Sequence, residues 1–203
     1  MSKPIKMHDD QEFRSFAVEL RAPGEGRTVE GYAALHGSVT DMGWYDEVIE
    51  PGAFAGAKMD DVRCLFNHDP NLPLARTTAN TLTVTVDEKG LFYRFEMPNT
   101  VTGNDLLENI KLGNVSQSSF AFRVKEQTRV ENYDGKGVDL RRINKIEEVF
   151  DVSPVTYAAY EDTDVVARSW QLEEKPKEAT PPTFDDEVRA DIEFHNQLLH
   201  AAK

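Results

Sequence analysis

Gly113-Asn-Val-Ser-Gln-Ser-Ser-Phe-Ala-Phe122 joins a helix stop to a strand. Alternation along the strand predicted over Val115–Val124 puts Phe120, Phe122 and Val124 on one face, with Ser116 and Ser118. Ser119 falls on the other face, with Val115, Gln117 and Ala121. The phenylalanine face is the core, so the small and polar face has room for chemistry, and Ser119 is its hydroxyl. The pattern alone leaves two readings open, a nucleophile and an ordinary strand serine.

Upstream, Thr102-Gly-Asn-Asp105 has the spacing of a capping box and opens a helix through Leu106, Leu107, Ile110 and Leu112. Lys111 suits its last turn and Gly113 its stop. Thr81–Val86 and Leu91–Met97 flank Asp87-Glu-Lys-Gly90, the pattern of a hairpin. Earlier extended runs start at Glu12, at Thr28 (to Leu35) and at Trp44 (to Ile49). Pro51-Gly52 ends the last of these and opens a short helix over Ala53–Lys58. Val62–His68 reads as a strand with Val62, Cys64, Phe66 and His68 on one face. Beyond the serines, a turn over 132–137 leads to strands over 138–146 and 147–157. Short strands with one or two helices predict a β-rich α+β domain over 12–169. Residues 1–11 are a frayed terminus, and 170–203 are a charged, proline-containing linker followed by an amphipathic helix carrying Val188, Ile192 and Leu199.

The chain of 203 residues is long enough to bury one good core. No apolar run approaches the roughly 18 residues of a membrane span, and the first ten residues lack a signal-peptide core. One cysteine, Cys64, excludes an internal disulfide and suits a reducing compartment. A net charge of −13, with Arg141-Arg142 as no more than a pair, argues against nucleic-acid binding. Neither metal-ligand spacings nor glycine-rich phosphate loops occur, so no cofactor and no metal are expected.

A serine needs a base to take its proton. His8, His195 and His200 lie near the chain ends, which leaves His36 and His68. His68 sits between Asn67 and Asp69, with Pro70 turning the chain away. Its spacing fits a turn histidine as well as a base. Asp151 alternates with Val149, Ser153 and Val155, a carboxylate on a small or apolar face that requires a partner. Glu147 and Glu148 read as solvated and Asp69 as a loop residue. Cys64 lies about 13 Å from His68 along a strand, too far for a thiol pair. The order histidine, serine, carboxylate is not that of the trypsin-like, subtilisin-like or α/β-hydrolase enzymes, and Gly-x-Ser-x-Gly is absent.

Four segments in register resemble the tailed-phage prohead proteases, a family related to herpesvirus assemblin. Gly31-Tyr-Ala-Ala-Leu35 with Glu50-Pro-Gly-Ala-Phe54 is similar to the family's N-terminal strand and turn. Asp61-Val-Arg-Cys-Leu-Phe-Asn-His-Asp-Pro70 resembles its histidine motif, Gly113–Phe122 its serine motif and Glu148–Thr156 its closing strand. Gln117-Ser118 replaces the family's usual Gly-Met, Ala121 a glycine, and Ala75 another. The resemblance implies an assemblin-like, partly open β-barrel with flanking helices. It makes Ser119 the nucleophile, His68 the base and Asp151 the third residue, with Val155–Ala159 as the segment for the oxyanion donors. It also implies a serine endopeptidase packed inside the immature capsid in the host cytoplasm. The expected substrates are the scaffolding portion of the major capsid protein and the protease itself, trimmed between Trp170 and Thr183. No membrane or nucleic-acid partner follows, and self-association stays open. The rivals are a non-catalytic scaffold or capsid-binding protein of the same fold and an unrelated β-barrel binding module.

Overall fold

The computed structural model describes residues 11–16, 20–22 and 26–157. The expected linker and helix over 170–203 lie outside the described residues, as do residues 1–10. Ten strands follow in chain order: β1 Glu12–Phe16, β2 Thr28–Leu35, β3 Val39–Asp41, β4 Asp46–Ile49, β5 Arg63–Leu65, β6 Pro73–Arg76, β7 Leu82–Val86, β8 Gly90–Glu96, β9 Gln117–Val130 and β10 Leu140–Val155. Helix α1, Val101–Lys111, separates β8 from β9. About half of the described residues are in strands.

These strands form two sheets that do not close into a barrel, in place of the partly open barrel expected. The larger runs β1-β9-β10-β4-β3, with β5 on β10 and β6 on β5; the smaller runs β2-β8-β7. One core joins them, from Val29, Tyr93 and Phe95 of the small sheet to Phe120, Phe122, Ile143 and Val152 of the large one. In place of flanking helices there is α1, with a single 3-10 turn at Thr77–Ala79, among the described residues.

Local chemistry explains the differences. Thr100 caps α1, two residues before the expected box, because its hydroxyl accepts the Gly103 N–H at 3.0 Å. Leu106, Leu107 and Ile110 are buried and Gly113 ends the helix at φ +78°. Ala53–Lys58 is not helical. Gly52 and Gly56 take φ +87° and +80°, and the segment is a chain of tight turns. β3 and β6 are too short to show periodicity. β5 stops at Leu65, so His68 stands beyond the strand.

The expected strands 138–146 and 147–157 are one, β10, carrying several bulges against β9. From Ile143 to Asp151 it advances eight residues while β9 advances six, from Gln127 to Ala121. Its core residues therefore recur every third position: Ile143, Ile146, Val149 and Val152. On the other edge of β10, between β4 and β5, backbone groups are satisfied by the turn segment found where the helix was expected. Ile146 N–H donates to Ala53, Lys58 N–H to Glu147 and Val149 N–H to Lys58, at 2.8, 2.8 and 3.0 Å.

The Asp87–Gly90 hairpin forms as read, with Asp87 Oδ1 accepting the Lys89 and Gly90 N–H groups. Gly90 lies opposite Leu35, so close that a Cβ would sit 2.0 Å from the Ala34 carbonyl oxygen. Gly90→Ala is expected to destabilise the domain by about 1–3 kcal/mol through overpacking. Equilibrium urea unfolding measures this; an unchanged midpoint would contradict the close approach of β2 and β8.

Candidate active site

Strand pairing brings the three candidate residues together. Residues paired across β9 and β10 point to the same side, so the pairs Phe122–Val149 and Phe120–Val152 enter the core. The intervening pairs, Ala121–Asp151 and Ser119–Ser153, face the opposite way. Asp151 therefore shares its face with Ser153 as expected, but not with Val149. The bulge at Phe150 reverses the alternation and turns Asp151 toward Ser119. Ser118 points into the core, where its hydroxyl lies 2.8 Å from Tyr93 Oη.

His68 reaches this face from a left-handed turn. Asn67 and His68 have φ +53° and +57°, a region that asparagine and histidine enter more readily than most residues. Asn67 clamps the turn to the end of β10. Its N–H donates to the Pro154 carbonyl at 3.0 Å, its Oδ1 accepts the Thr156 N–H at 2.9 Å, and its Nδ2 donates to Thr156 Oγ1 at 3.2 Å. Asp69 serves the loop, accepting the Asn71 N–H at 2.8 Å.

The imidazole then bridges the two other groups. His68 Nδ1 lies 2.6 Å from Asp151 Oδ1, and Nε2 lies 2.6 Å from Ser119 Oγ. A carboxylate only accepts, so Nδ1 carries the proton and Nε2 offers a lone pair to the serine. Asp151 Oδ1 also accepts the Ser153 hydroxyl at 2.7 Å. This arrangement can move a proton from Ser119 to His68 while the carboxylate steadies the ring. Asp151 and both serines are buried, and His68 retains a partly exposed edge.

Other candidates separate from it. Burial, reinforced by the Asp151 charge, pushes the Cys64 thiol well above its usual range, which leaves it a neutral core group. Glu147 and Glu148 are paired with Arg123 near the surface, at 3.9 and 3.1 Å. In the segment expected to supply oxyanion donors, the Thr156 N–H is committed to Asn67. Among the described residues no group of histidine, cysteine, aspartate and glutamate side chains could hold a metal, and no helix is long and apolar enough to cross a membrane.

The model of the caudovirus prohead serine proteases matches residues 16–178, most of the chain. The chain belongs to this family. It is thus a member of a serine protease family of phage capsid maturation, and the matched span contains His68, Ser119 and Asp151. No curated protein and no solved structure gives a significant match.

Two features around the candidate residues of this prohead-protease family member lie beyond those read from the sequence. Ser153 carried a signal, since it lies two residues from Asp151 on the same face. A buried ring of four charges carried less; it lies on the phenylalanine face of β9, where Glu12 pairs with Phe122 and Arg14 with Phe120. Arg14 donates to Glu12 at 2.7 Å and to Glu47 at 2.8 Å; Arg141 donates to Glu12 at 2.6 Å and to Glu47 at 2.9 Å. Burial alone would raise the Glu12 pKa, but Arg141 and Arg14 outweigh it and hold the carboxyl below its usual range. Glu12 and Arg14 two apart on a strand share a face, the one hint that the sheet must compensate both.

Ser153→Ala should lower kcat by about 10- to 100-fold with KM little changed, the scale of one hydrogen bond to a charged acceptor. Steady-state kinetics on a cleavable peptide provide the check. Wild-type kcat in this variant would mean that Asp151 is oriented without Ser153.

Proposed function

We propose that the chain is the serine endopeptidase of phage capsid maturation in which His68, Ser119 and Asp151 form the catalytic triad of an assemblin-like domain over 12–169. The observation that carries this reading is the imidazole bridge, 2.6 Å to the serine on one side and 2.6 Å to the carboxylate on the other. Ser119 Oγ attacks a peptide carbonyl carbon as its proton passes to His68 Nε2. The imidazolium, steadied by Asp151, returns that proton to the leaving amine. A water molecule then takes the same path and releases the acyl group from Ser119, restoring the enzyme. The substrates are the scaffolding portion of the major capsid protein and, within the closed shell, the protease itself. The segment 171–182, polar and proline-containing, is the self-cleavage site, and the residues beyond it deliver or dock the protease before processing.

Co-expression with the capsid protein tests the proposal. Ser119→Ala should leave assembly intact and abolish processing, since losing one member of a coupled triad can cost on the order of 10⁶-fold. Asp151→Asn should slow processing by about 10⁴-fold, because the amide favours the wrong imidazole tautomer. Intact mass of assembled particles should show wild-type chains trimmed between Trp170 and Thr183 and Ser119→Ala chains at full length. Normal processing by Ser119→Ala would refute the nucleophile; identical trimming of both proteins would assign the tail to another protease.

A further inference from the structure

Ser119 is completely buried, so no peptide carbonyl reaches it in this state. Its cover is β1. The register sets Ser15 opposite Ser119. The Ser119 hydroxyl lies 2.9 Å from the Arg14 carbonyl oxygen, and the Phe13 ring stands edge-on to His68 with centroids 4.8 Å apart. The Arg14 carbonyl is also a rival for the proton. One O–H faces two acceptors, and a serine that donates to Arg14 is not activated by His68.

β1 ends the strand order of its sheet, with β9 beside it. Among the described residues after β1, Leu20 N–H donates to the Ser116 carbonyl and Arg21 pairs with Glu30. Detachment of 12–16 therefore leaves those later anchors in place. Across its boundary, β1 is retained by its backbone ladder to β9 and by the charge ring. Cut along that boundary, the ring yields two neutral pairs. Glu12 and Arg14 leave together, already 2.7 Å apart, and Glu47 and Arg141 stay together at 2.9 Å. Neither half keeps an uncompensated buried charge, which is what makes most buried ion pairs so costly to break. The Ser15 hydroxyl is buried without a hydrogen-bond partner among the described residues, a cost that release removes.

We propose that β1 is a releasable cover: with Ser119 as the nucleophile, the protease is held inactive while Glu12 and Arg14 close the ring with Glu47 and Arg141. Departure of β1 admits a peptide to Ser119 and leaves its proton to His68. The device rests on the assignment of Ser119 above, and it lets a protease assemble intact before it cuts.

Glu12→Gln in the full chain tests it. The substitution leaves the seated ring with one guanidinium in excess, and release carries that excess, Arg14, into water while Glu47 and Arg141 remain balanced. Hydrogen exchange should show loss of protection over 12–16 with β10 still protected. Phosphonylation of Ser119 by a fluorophosphonate probe, followed by peptide mass spectrometry, should accelerate about tenfold or more, the least expected from unbalancing a buried charge network. Labelling that stays equal or slows after 12–16 has lost protection would overturn the proposal. So would unchanged protection, because the ring would not then hold the strand, and so would loss of protection throughout β10, because the ring would then hold the core. Absence of label on Ser119 in both folded proteins would instead overturn the nucleophile assignment, and the cover with it.

Discussion

The candidate site depends on a mismatch in length between two paired strands. β10 carries more residues than β9 over the stretch where they run together, and the excess is placed as bulges, the last of them at Phe150. An unbulged strand would hold Val149 and Asp151 on one face and send either a carboxylate into the core or a valine out of it. The bulge lets Val149 and Val152 both pack inward while Asp151 turns to the face of Ser119. On the opposite edge of β10, in the gap between β4 and β5, the turn segment joining those strands accepts and donates for the exposed backbone groups.

The histidine is positioned by a second local departure. Two consecutive residues in the left-handed region are unfavourable, of order 1–3 kcal/mol each. The Asn67 clamp onto Pro154 and Thr156 holds them there. His68 and Asp151 are thereby fixed to the same stretch of β10, five residues long from Asp151 to Val155 and its immediate end. Ser119 comes from the neighbouring strand, β9. Two paired strands and a clamped turn thus set all three groups, and the edge strand β1 beside them is seated by charges that balance on either side of its boundary.

Much of this was legible in the sequence. The faces of β9 followed from simple alternation, which separated Ser118 from Ser119 because both partners of the strand bury large residues on the phenylalanine side. The hairpin at Asp87–Gly90 followed from turn chemistry. The path of β10 did not, because a bulge has no period and its core residues recur every third position, neither a strand's two nor a helix's 3.6. The same applies to His68, which alternation placed at the end of a strand that stops three residues earlier. The ring of Glu12, Arg14, Glu47 and Arg141 unites three distant segments, and no local pattern announces such a contact. The resemblance to a family singled out His68, Ser119 and Asp151 without revealing how their side chains meet.

If the three residues act as one unit, Asp151 matters only through His68. The direct test is a double-mutant cycle on the rate of Ser119 phosphonylation, comparing His68→Ala, Asp151→Asn and the double variant. The account predicts that the double variant reacts no more slowly than His68→Ala alone, since an aspartate without its imidazole has nothing left to orient. Losses that multiply would contradict it, and would mean that Asp151 reaches the serine by a route other than His68.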